Sequence, residues 1–346
     1  MKLGMMLGYM EGTMADKVAL VREAEELGFS SVWTSESWGR DAVTPAAWLL
    51  AHTSKIRVGT AIMQMQARAP AMAAMTAMTL QEMSGGRFIL GIGPSGPQVI
   101  EGWYGVPYGK PLGRTREYVE IVRQIFARER PLEHHGEHYD IPNTGPGTTG
   151  LGKPLKTILH PDPHIDIYTG SFTPAGIRTA AEVADGVIPI FMNPERFDVF
   201  ADDLETGFAR AGGGKSLETF EMAPFCRVVV NDDLAAARDS LRDYFALYIG
   251  GMGAKGKNFY NDYVSRLGYE GPAAEIQDLY LGGKKKEAAA KVPDALIDEL
   301  ALVGPADRIR ERLGAWKEAA RDRKVGTLIN IAPSQASIRL LASEIL

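Results

Sequence analysis

The chain has 346 residues, of which 45% are hydrophobic and 23% charged, and this composition is typical of a globular protein. Its 38 Lys and Arg residues against 43 Asp and Glu give a net charge of -5, which argues against a general attraction to nucleic acid or to an anionic membrane. No apolar stretch reaches the length of about 18 residues needed to cross a bilayer, so we expect a cytoplasmic protein that binds a small molecule.

The first half of the chain alternates between buried strands and helices. A helix with Val18, Val21 and Ala24 on one face, for example, follows the apolar run at the amino terminus. The predicted strands are Lys2–Leu7, Ser31–Thr34, Ile56–Met63 and Arg87–Ile92, and the predicted helices are Thr13–Gly28, Pro45–Ala51, Pro70–Met83 and one around Tyr118–Ile125.

The second half repeats this alternation. The predicted strands are Ile165–Thr169, Gly186–Phe191, Met222–Val230 and Val325–Ile331, and the predicted helices are Pro174–Ala184, Pro194–Arg210 and Asp232–Tyr248. Eight strands that alternate with helices predict an α/β fold of the (β/α)8 TIM-barrel class, with residues 1–346 forming one domain. Residues 249–293 break the rhythm, and we interpret them as an insertion between strands seven and eight. Two roles are possible for this insertion: a lid over the active site, or a surface or oligomer contact.

The carboxyl ends of the strands are where a barrel of this kind carries its active site. This rule selects the segments Ser35–Trp38, Ala61–Gln66, Gly93–Gln98, Gly170–Thr173 and Ile190–Asn193. The glycines of the segment Gly91–Gly96 let the backbone approach a ligand. Gly170 and Ser171 directly precede a helix, whose free amides attract anions. The pattern favours cofactor binding over a hydrolytic triad.

Metal and thiol chemistry have little support in the sequence. His134, His135 and His138 lie in a polar segment typical of a surface loop, and His160 and His164 have no matching carboxylate pair nearby. We therefore predict no metal site. The single cysteine, Cys226, excludes an internal disulfide, and we expect it to be a buried structural residue.

Several segments together resemble one known family, the luciferase-like flavin and deazaflavin oxidoreductases. They include Val32–Glu36, Arg57–Gln64, Ser84–Gly93, Ser95–Val99, Glu101–Gly105, Lys110–Leu112, Arg114–Tyr118, Ala184–Gly186, Tyr248–Gly253, Asn258–Asn261 and Val303–Pro305. Within that family the chain is most similar to the oxidoreductases that depend on coenzyme F-420, an 8-hydroxy-5-deazaflavin. The resemblance covers nearly the whole chain.

The resemblance implies a cofactor site at the barrel mouth. The ring would rest on a bulge after strand three, around a cis bond between Ala61 and Ile62. Glu36 would contact the ring as the catalytic acidic residue. The other positions that match cofactor-binding residues are Gly93, Pro94, Ser95, Gly170, Ser171 and Ile190. Some relatives carry a catalytic His directly after the acidic residue, and this chain has Ser37 there, so the proton donor is not identified.

The expected activity is hydride transfer between F-420 and a small organic substrate. The residues expected to cover the site as lid or substrate contacts are Trp38, Trp103, Tyr104, Asn258 and Tyr260. Cationic residues for the anionic F-420 tail would come from Arg40, Arg68, Arg114 and Arg116. The alternatives are an FMN-dependent monooxygenase that uses reduced flavin and oxygen, and a non-catalytic cofactor-binding barrel. The resemblance also implies a homodimer.

Overall fold

The strands predicted from hydrophobic runs are present in the computed structural model, which describes residues 1–8, 12–160 and 164–346. Every one of the eight predicted strands overlaps an observed one. The strands are β1 (Lys2–Met6), β2 (Ser31–Thr34), β3 (Arg57–Thr60), β4 (Met63–Gln64), β5 (Phe88–Gly93), β6 (His134–His135), β7 (Asp140–Ile141), β8 (Ile167–Gly170), β9 (Gly186–Ile188), β10 (Glu221–Met222), β11 (Phe225–Val230), β12 (Ala301–Gly304) and β13 (Thr327–Ile331).

The helices between them begin and end with recognisable caps. Thr13 starts the first helix with a capping box to Asp16, and Gly85 ends the third with a φ of 64°. The helices are α1 (Met14–Glu26), α2 (Val43–His52), α3 (Pro70–Ser84), α4 (Pro97–Gly102), α5 (Pro111–Ala127), α6 (Pro174–Val183), α7 (Asp198–Ala211), α8 (Leu234–Ala246), α9 (Phe259–Val264), α10 (Glu270–Leu281), α11 (Lys285–Ala290), α12 (Asp294–Leu300), α13 (Ala306–Arg321) and α14 (Gln335–Ile345). Within the described ranges, no helix is both long and apolar enough to cross a membrane.

The chain divides into two compact units. The larger unit comprises Met6–Ile188 and Phe200–Met222. Its strands pair in parallel in the order β10-β9-β8-β5-β3-β2, and β4 also pairs with β5. β6 and β7 pair with each other as a separate antiparallel hairpin. In the main sheet of this unit, strands that follow one another along the chain are neighbours and are joined by helical connections. This is the βα repeat that the sequence predicts.

The smaller unit comprises Met1–Met5, Pro189–Val199 and Ala223–Leu346. Its strands follow the order β1-β13-β11-β12. The lower half of β11 pairs in parallel with β13, at Phe225–Arg227, and its upper half pairs with β12, at Arg227–Val230. One strand therefore holds two partners along its length.

The segment from 249 to 293 is largely helical, as α9, α10 and α11 show. It is followed by β12 and α13, neither of which the sequence analysis predicted. Between β11 and β13 the chain therefore inserts a helical segment and also an additional strand and helix. The assignment of residues 1–346 to a single domain stays a prediction.

Candidate functional site

The Ile62 side chain lies against two glycines from neighbouring strands. Ile62 follows β3, Gly93 ends β5 and Gly170 ends β8, so all three lie at the carboxyl edge of the parallel sheet. The peptide bond between Ala61 and Ile62 is cis, as the resemblance implies. A Cβ atom built on Gly93 would lie 3.0 Å from Ile62 Cδ1, and one built on Gly170 would lie 2.8 Å from Ile62 Cγ2. A larger residue at position 93 or 170 would therefore force the Ile62 side chain to move. We call the three residues the Ile62 platform.

The strand ends under the platform are locked together by Thr60 and Gly91. The Thr60 hydroxyl donates to the carbonyl of Gly91 at 2.6 Å and accepts from its amide at 3.0 Å. A Cβ atom on Gly91 would lie 1.7 Å from the Thr60 carbonyl oxygen, which no side chain can satisfy. The position of β3 against β5 is therefore fixed directly below the platform.

Glu36 lies beside the platform with its carboxylate almost completely enclosed. Its side chain is 4% exposed, and Arg68 Nη1 lies 2.8 Å from each carboxylate oxygen. The backbone amide of Gln64, two residues beyond Ile62, donates to Oε2 at 3.3 Å. The Glu36 carboxylate is thus held in place by one arginine and one backbone amide.

Gln64 ties this acidic loop to the platform loop. Its side-chain amide donates to the carbonyl oxygens of Glu36 and Ser37, at 3.2 and 3.3 Å. The loop after β2 is thereby fastened to the loop after β3. Residues 32 positions apart in the chain, Glu36 and Arg68, meet for this reason.

Tyr104 completes the group around the carboxylate. It follows α4, in the loop after β5, and its hydroxyl donates to Glu36 Oε1 at 3.3 Å. Burial raises the pKa of the Tyr104 phenol, and the neighbouring Glu36 carboxylate raises it further. Trp38 and Trp103, proposed from the sequence as covering residues, are 57% and 64% exposed. Tyr104 is thus drawn into the site, whereas the two tryptophans lie at its surface.

Five buried polar atoms in this region have no hydrogen-bond partner among the described residues. They are the Ser35 hydroxyl, the Gln64 carbonyl Oε1, the Gln66 Nε2 and Oε1 atoms and the Thr169 hydroxyl. Gln64 is fully buried and its amide nitrogen is already used, so Oε1 is left to accept from a ligand. All four residues lie at or just past the ends of β2, β4 and β8.

The loop Gly93–Gly96 and the turn Gly170–Ser171 flank the platform. Ser95 has a φ of 56°, a conformation costly for a side-chain-bearing residue, and its carbonyl accepts from the Tyr108 hydroxyl at 3.1 Å. Ser171 precedes α6, whose first turn is capped by Thr173. The Ser171 hydroxyl lies close to Gly176: a Cβ atom built on Gly176 would lie 1.8 Å from Ser171 Oγ. The Ser171 hydroxyl is therefore held over the amino end of α6, where anions are stabilised.

The remaining predicted site residues belong to the smaller unit. Ile190 is 9% exposed and follows β9. Asn258 is 1% exposed and caps α9, accepting from the amides of Tyr260 and Asn261. The Tyr260 ring packs on Phe191 and Tyr248, with ring centroids 6.0 and 4.8 Å apart. These contacts assign Asn258 a structural role in its own segment. Its role as a lid stays a prediction.

Comparison with known proteins identifies the family of the chain. The sequence profile of the luciferase-like monooxygenases matches residues 1–323. The chain belongs to this family. It is 46% identical over 345 residues to a Mycobacterium tuberculosis protein whose name assigns it provisionally to the coenzyme F-420-dependent oxidoreductases. The match covers 99% of this chain and 98% of that protein. The family resemblance derived from the sequence is confirmed.

Solved structures show the same fold for this luciferase-like chain. The F-420-dependent tetrahydromethanopterin reductase of Methanopyrus kandleri superposes with a TM-score of 0.78 at 22% identity, over 99% of this chain and 98% of that one. An F-420-dependent secondary alcohol dehydrogenase, solved with an F-420–acetone adduct, superposes with a TM-score of 0.76 at 19% identity and the same coverage. The predicted (β/α)8 class is confirmed.

One statement made from the sequence about the histidines of this luciferase-like protein is wrong. His164 Nε2 lies 3.8 Å from Asp166 and 3.6 Å from Asp185, so a carboxylate pair is near it. The three residues come together because Asp166 and Asp185 precede neighbouring strands, a relation invisible in linear spacing. Both carboxylates are already paired, Asp166 with Arg57 and Asp185 with Arg123. The prediction of no metal site stays a prediction.

The other histidines and the cysteine have structural surroundings. His134 Nε2 donates to the Glu117 carboxylate at 3.2 Å, and Glu117 also accepts from the amides of residues 137–139. His134 thus helps to fasten the β6–β7 hairpin to α5. Cys226 is 1% exposed, and burial raises its pKa to about 12. The expectation that Cys226 is buried is confirmed.

Proposed function

We propose that this protein is an F-420-dependent oxidoreductase that transfers a hydride between the deazaflavin and a small organic substrate. The observation that supports it is the Ile62 platform with the Glu36 carboxylate at its side. A flat apolar surface next to a fixed carboxylate suits a planar, polar-edged ring system. The provisional name of the mycobacterial relative, at 46% identity over nearly the full chain, points in the same direction.

The residues present fit F-420. Ile62 would support the ring, and the unpartnered Gln64 Oε1 would accept from a donor on the ring edge. Ser171 and the amino end of α6 would hold the phosphate. When bound, a deazaflavin supplies a carbon that accepts or donates a hydride and reacts poorly with oxygen. Pro94 with Ser95 would contribute a second edge.

The protein's own contribution is position and exclusion of water. Arg68 and Gln64 hold Glu36 at one point, and Thr60 and Gly91 hold the platform at another. Hydride transfer gains from such fixed geometry because reactants are held near their reacting distance. Trp38, Trp103 and Tyr104 would close the site over a substrate.

Titration of the purified apoprotein with F-420 and, separately, with FMN tests the proposal. We expect F-420 binding with a dissociation constant of micromolar or lower, about -8 kcal/mol, and much weaker FMN binding. A preference for FMN, together with oxygen consumption on addition of reduced FMN, would support a monooxygenase instead. Tight F-420 binding with no turnover across ketones, enones, imines and nitro compounds would support a non-catalytic barrel.

We further propose a cytoplasmic homodimer. The net charge and the absence of a long apolar run support the compartment, and the family resemblance supports the oligomeric state. Light scattering of the purified protein at micromolar concentration measures the mass directly. A mass near 37.6 kDa would show a monomer and reject the dimer.

A further inference from the structure

The site described above has no histidine next to Glu36, yet oxidation or reduction at an oxygen-bearing carbon requires a proton to move. Ser37 occupies the position of the catalytic histidine in some relatives. Besides Arg68 and the Gln64 amide, the carboxylate is contacted by Tyr104, whose hydroxyl lies 3.3 Å from Glu36 Oε1. It comes from a different loop, 68 positions further along the chain.

We propose that Tyr104 and Glu36 form a proton relay that takes the hydroxyl proton of an alcohol substrate as its carbon gives up a hydride. This inference rests on the proposed function and adds to it the proton path and the substrate class, an alcohol and its carbonyl product. Tyr104 would be the catalytic residue that touches the substrate oxygen, and Glu36 the proton acceptor behind it.

The direction of the observed hydrogen bond suits this task. The Tyr104 hydroxyl donates its only proton to the Glu36 carboxylate, so its oxygen keeps lone pairs that accept a hydrogen bond from a substrate hydroxyl. Tyr104 is partly exposed, whereas the Glu36 side chain is 4% exposed and surrounded by Arg68 and Gln64. A substrate therefore reaches Glu36 through Tyr104.

The electrostatic surroundings favour a relay over a standing phenolate. Burial, Glu36 and Asp41 raise the pKa of Tyr104, while Arg68 lowers it. The net direction is upward, so the phenol stays protonated at neutral pH. It passes a proton on only when it receives another, which is the behaviour of a relay.

The atoms and electrons balance as follows. With F-420 bound, the substrate C–H bond would break and its electron pair would leave with the hydrogen to the deazaflavin, while the C–O bond would become a carbonyl. The substrate O–H proton would pass to Tyr104 Oη, and the phenol's own proton would pass to a Glu36 oxygen. After the carbonyl product has left, Glu36 would return this proton to Tyr104, and the partly exposed phenol would pass its other proton to solvent. Carbonyl reduction is the same sequence in reverse.

Three variants separate this role from a structural one. Tyr104→Phe removes the hydroxyl and keeps the ring, Ser37→Ala removes the competing hydroxyl, and Tyr280→Phe removes a tyrosine hydroxyl on α10 as a matched control. Each is measured for F-420 affinity by fluorescence and for oxidation of cyclohexanol and reduction of cyclohexanone. Far-ultraviolet circular dichroism checks that each variant is folded.

We expect Tyr104→Phe to lower kcat at least about 100-fold, in the range of general acid–base catalysis, with the F-420 dissociation constant changed less than about threefold. Ser37→Ala and Tyr280→Phe should stay within about threefold of the native protein. A solvent deuterium isotope effect on the native enzyme should show proton movement in the same step. A loss in Ser37→Ala equal to that in Tyr104→Phe would overturn the assignment.

A second readout does not depend on turnover. With fluorotyrosine incorporated, the 19F resonance that disappears in Tyr104→Phe reports Tyr104, and its titration is followed without cofactor. We expect Glu36→Gln to lower the Tyr104 pKa, since the carboxylate that raises it is gone. An unchanged titration would overturn the Tyr104–Glu36 contact on which the relay depends.

The outcomes also distinguish the two proposals. If the native protein binds no F-420, the proposed function fails. If it binds F-420 and converts cyclohexanol or cyclohexanone, but Tyr104→Phe matches Tyr280→Phe, only the relay fails. If it binds F-420 and reduces enones or nitro compounds while neither alcohol nor ketone reacts, the alcohol–carbonyl assignment is overturned and the proposed function stands.

Discussion

Arg68 holds the Glu36 carboxylate through a single nitrogen, Nη1, which lies 2.8 Å from both carboxylate oxygens. The pair is largely buried, with the two side chains 18% and 4% exposed. An ion pair withdrawn from water is rigid, because either member left alone would be a buried charge without a partner. The pair therefore fixes the Glu36 carboxylate near the loop that carries the Ile62 platform.

Replacement of Glu36 by alanine is the first prediction. We expect Glu36→Ala to weaken F-420 affinity or turnover at least tenfold, which corresponds to about 1.4 kcal/mol. Glu182→Ala is the matched control, because it also removes the carboxylate of an arginine pair. Glu182 Oε2 lies 2.9 Å from Arg116 Nε. Fluorescence titration and steady-state rates measure both effects. Native affinity together with native turnover would remove Glu36 from the site.

A second prediction concerns Gly170. In Gly170→Ala the new methyl group would lie 2.8 Å from Ile62 Cγ2, so the isoleucine has to move. We expect the F-420 dissociation constant to rise about tenfold or more while the protein stays folded. Gly102→Ala is the control, because a Cβ at Gly102 meets no heavy atom within 4 Å. Equal affinities in the two variants would show that the platform does not support the ring.

The strands of the barrel were predictable because each is a short apolar run bounded by glycine, proline or a helix cap. The Ser31–Thr34 prediction agrees with β2 residue for residue, and Asp232–Tyr248 encloses α8. The sequence did not predict β12 as a strand, because its four residues, Ala301–Gly304, continue the apolar pattern of α12 without a break. α13 buries only Ile309, Leu313, Trp316 and Ala319 among many charged residues, and its periodicity was overlooked.

The site was predictable in part. The family resemblance suggested Glu36 and Ile62, because the short motifs that carry it are local in the chain. The Arg68 contact could not be read, since two residues 32 positions apart meet only after β2 and β3 have paired. We had assigned Arg68 to the cofactor tail, and its Nη1 is instead engaged by Glu36. Tyr104 was expected only to cover the site, and its hydrogen bond to Glu36 required the loop after β5 to fold back.

Asn258 is the subject of the third prediction. Its side chain accepts from two amides, those of Tyr260 and Asn261, and donates to the carbonyls of Tyr248 and Ile249 at 3.0 and 2.9 Å. We expect Asn258→Ala to lower the free energy of unfolding by about 2 to 4 kcal/mol, since a cap and two buried carbonyls lose their partner. Asp233→Ala, which removes a single cap bond at α8, should cost about 1 kcal/mol. Urea denaturation compares them, and equal losses would contradict the role of Asn258.

The insertion gives a fourth prediction, on whether it responds to the cofactor. Asn261 donates to the carbonyls of Ile249 and Ala273, so the start of the segment is held before any ligand binds. The glycine-rich stretch at Gly250–Gly253 would be its hinge. We expect F-420 to slow limited proteolysis within 249–293 at least threefold. Identical cleavage with and without F-420 would argue against a cofactor-coupled lid.

The final prediction separates the arginines proposed for the anionic tail of F-420. Arg116 is engaged by Glu182 at 2.9 Å, and the exposed Arg40 lines a small cavity at the end of β2 and donates to the carbonyl oxygen of Gly12 at 3.5 Å. We predict that Arg40, and not Arg116, meets the tail that leaves the phosphate. We expect Arg40→Gln to raise the F-420 dissociation constant about two- to fivefold, the effect of one exposed charge contact, and Arg116→Gln to leave it within twofold. FMN ends at its phosphate, so Arg40→Gln should leave FMN binding unchanged.

Added salt should also reduce the difference in F-420 affinity between the native protein and Arg40→Gln, because exposed charges are screened. An equal loss of affinity for F-420 and FMN would place Arg40 at the phosphate or the ring, and no loss for either would remove it from the tail route.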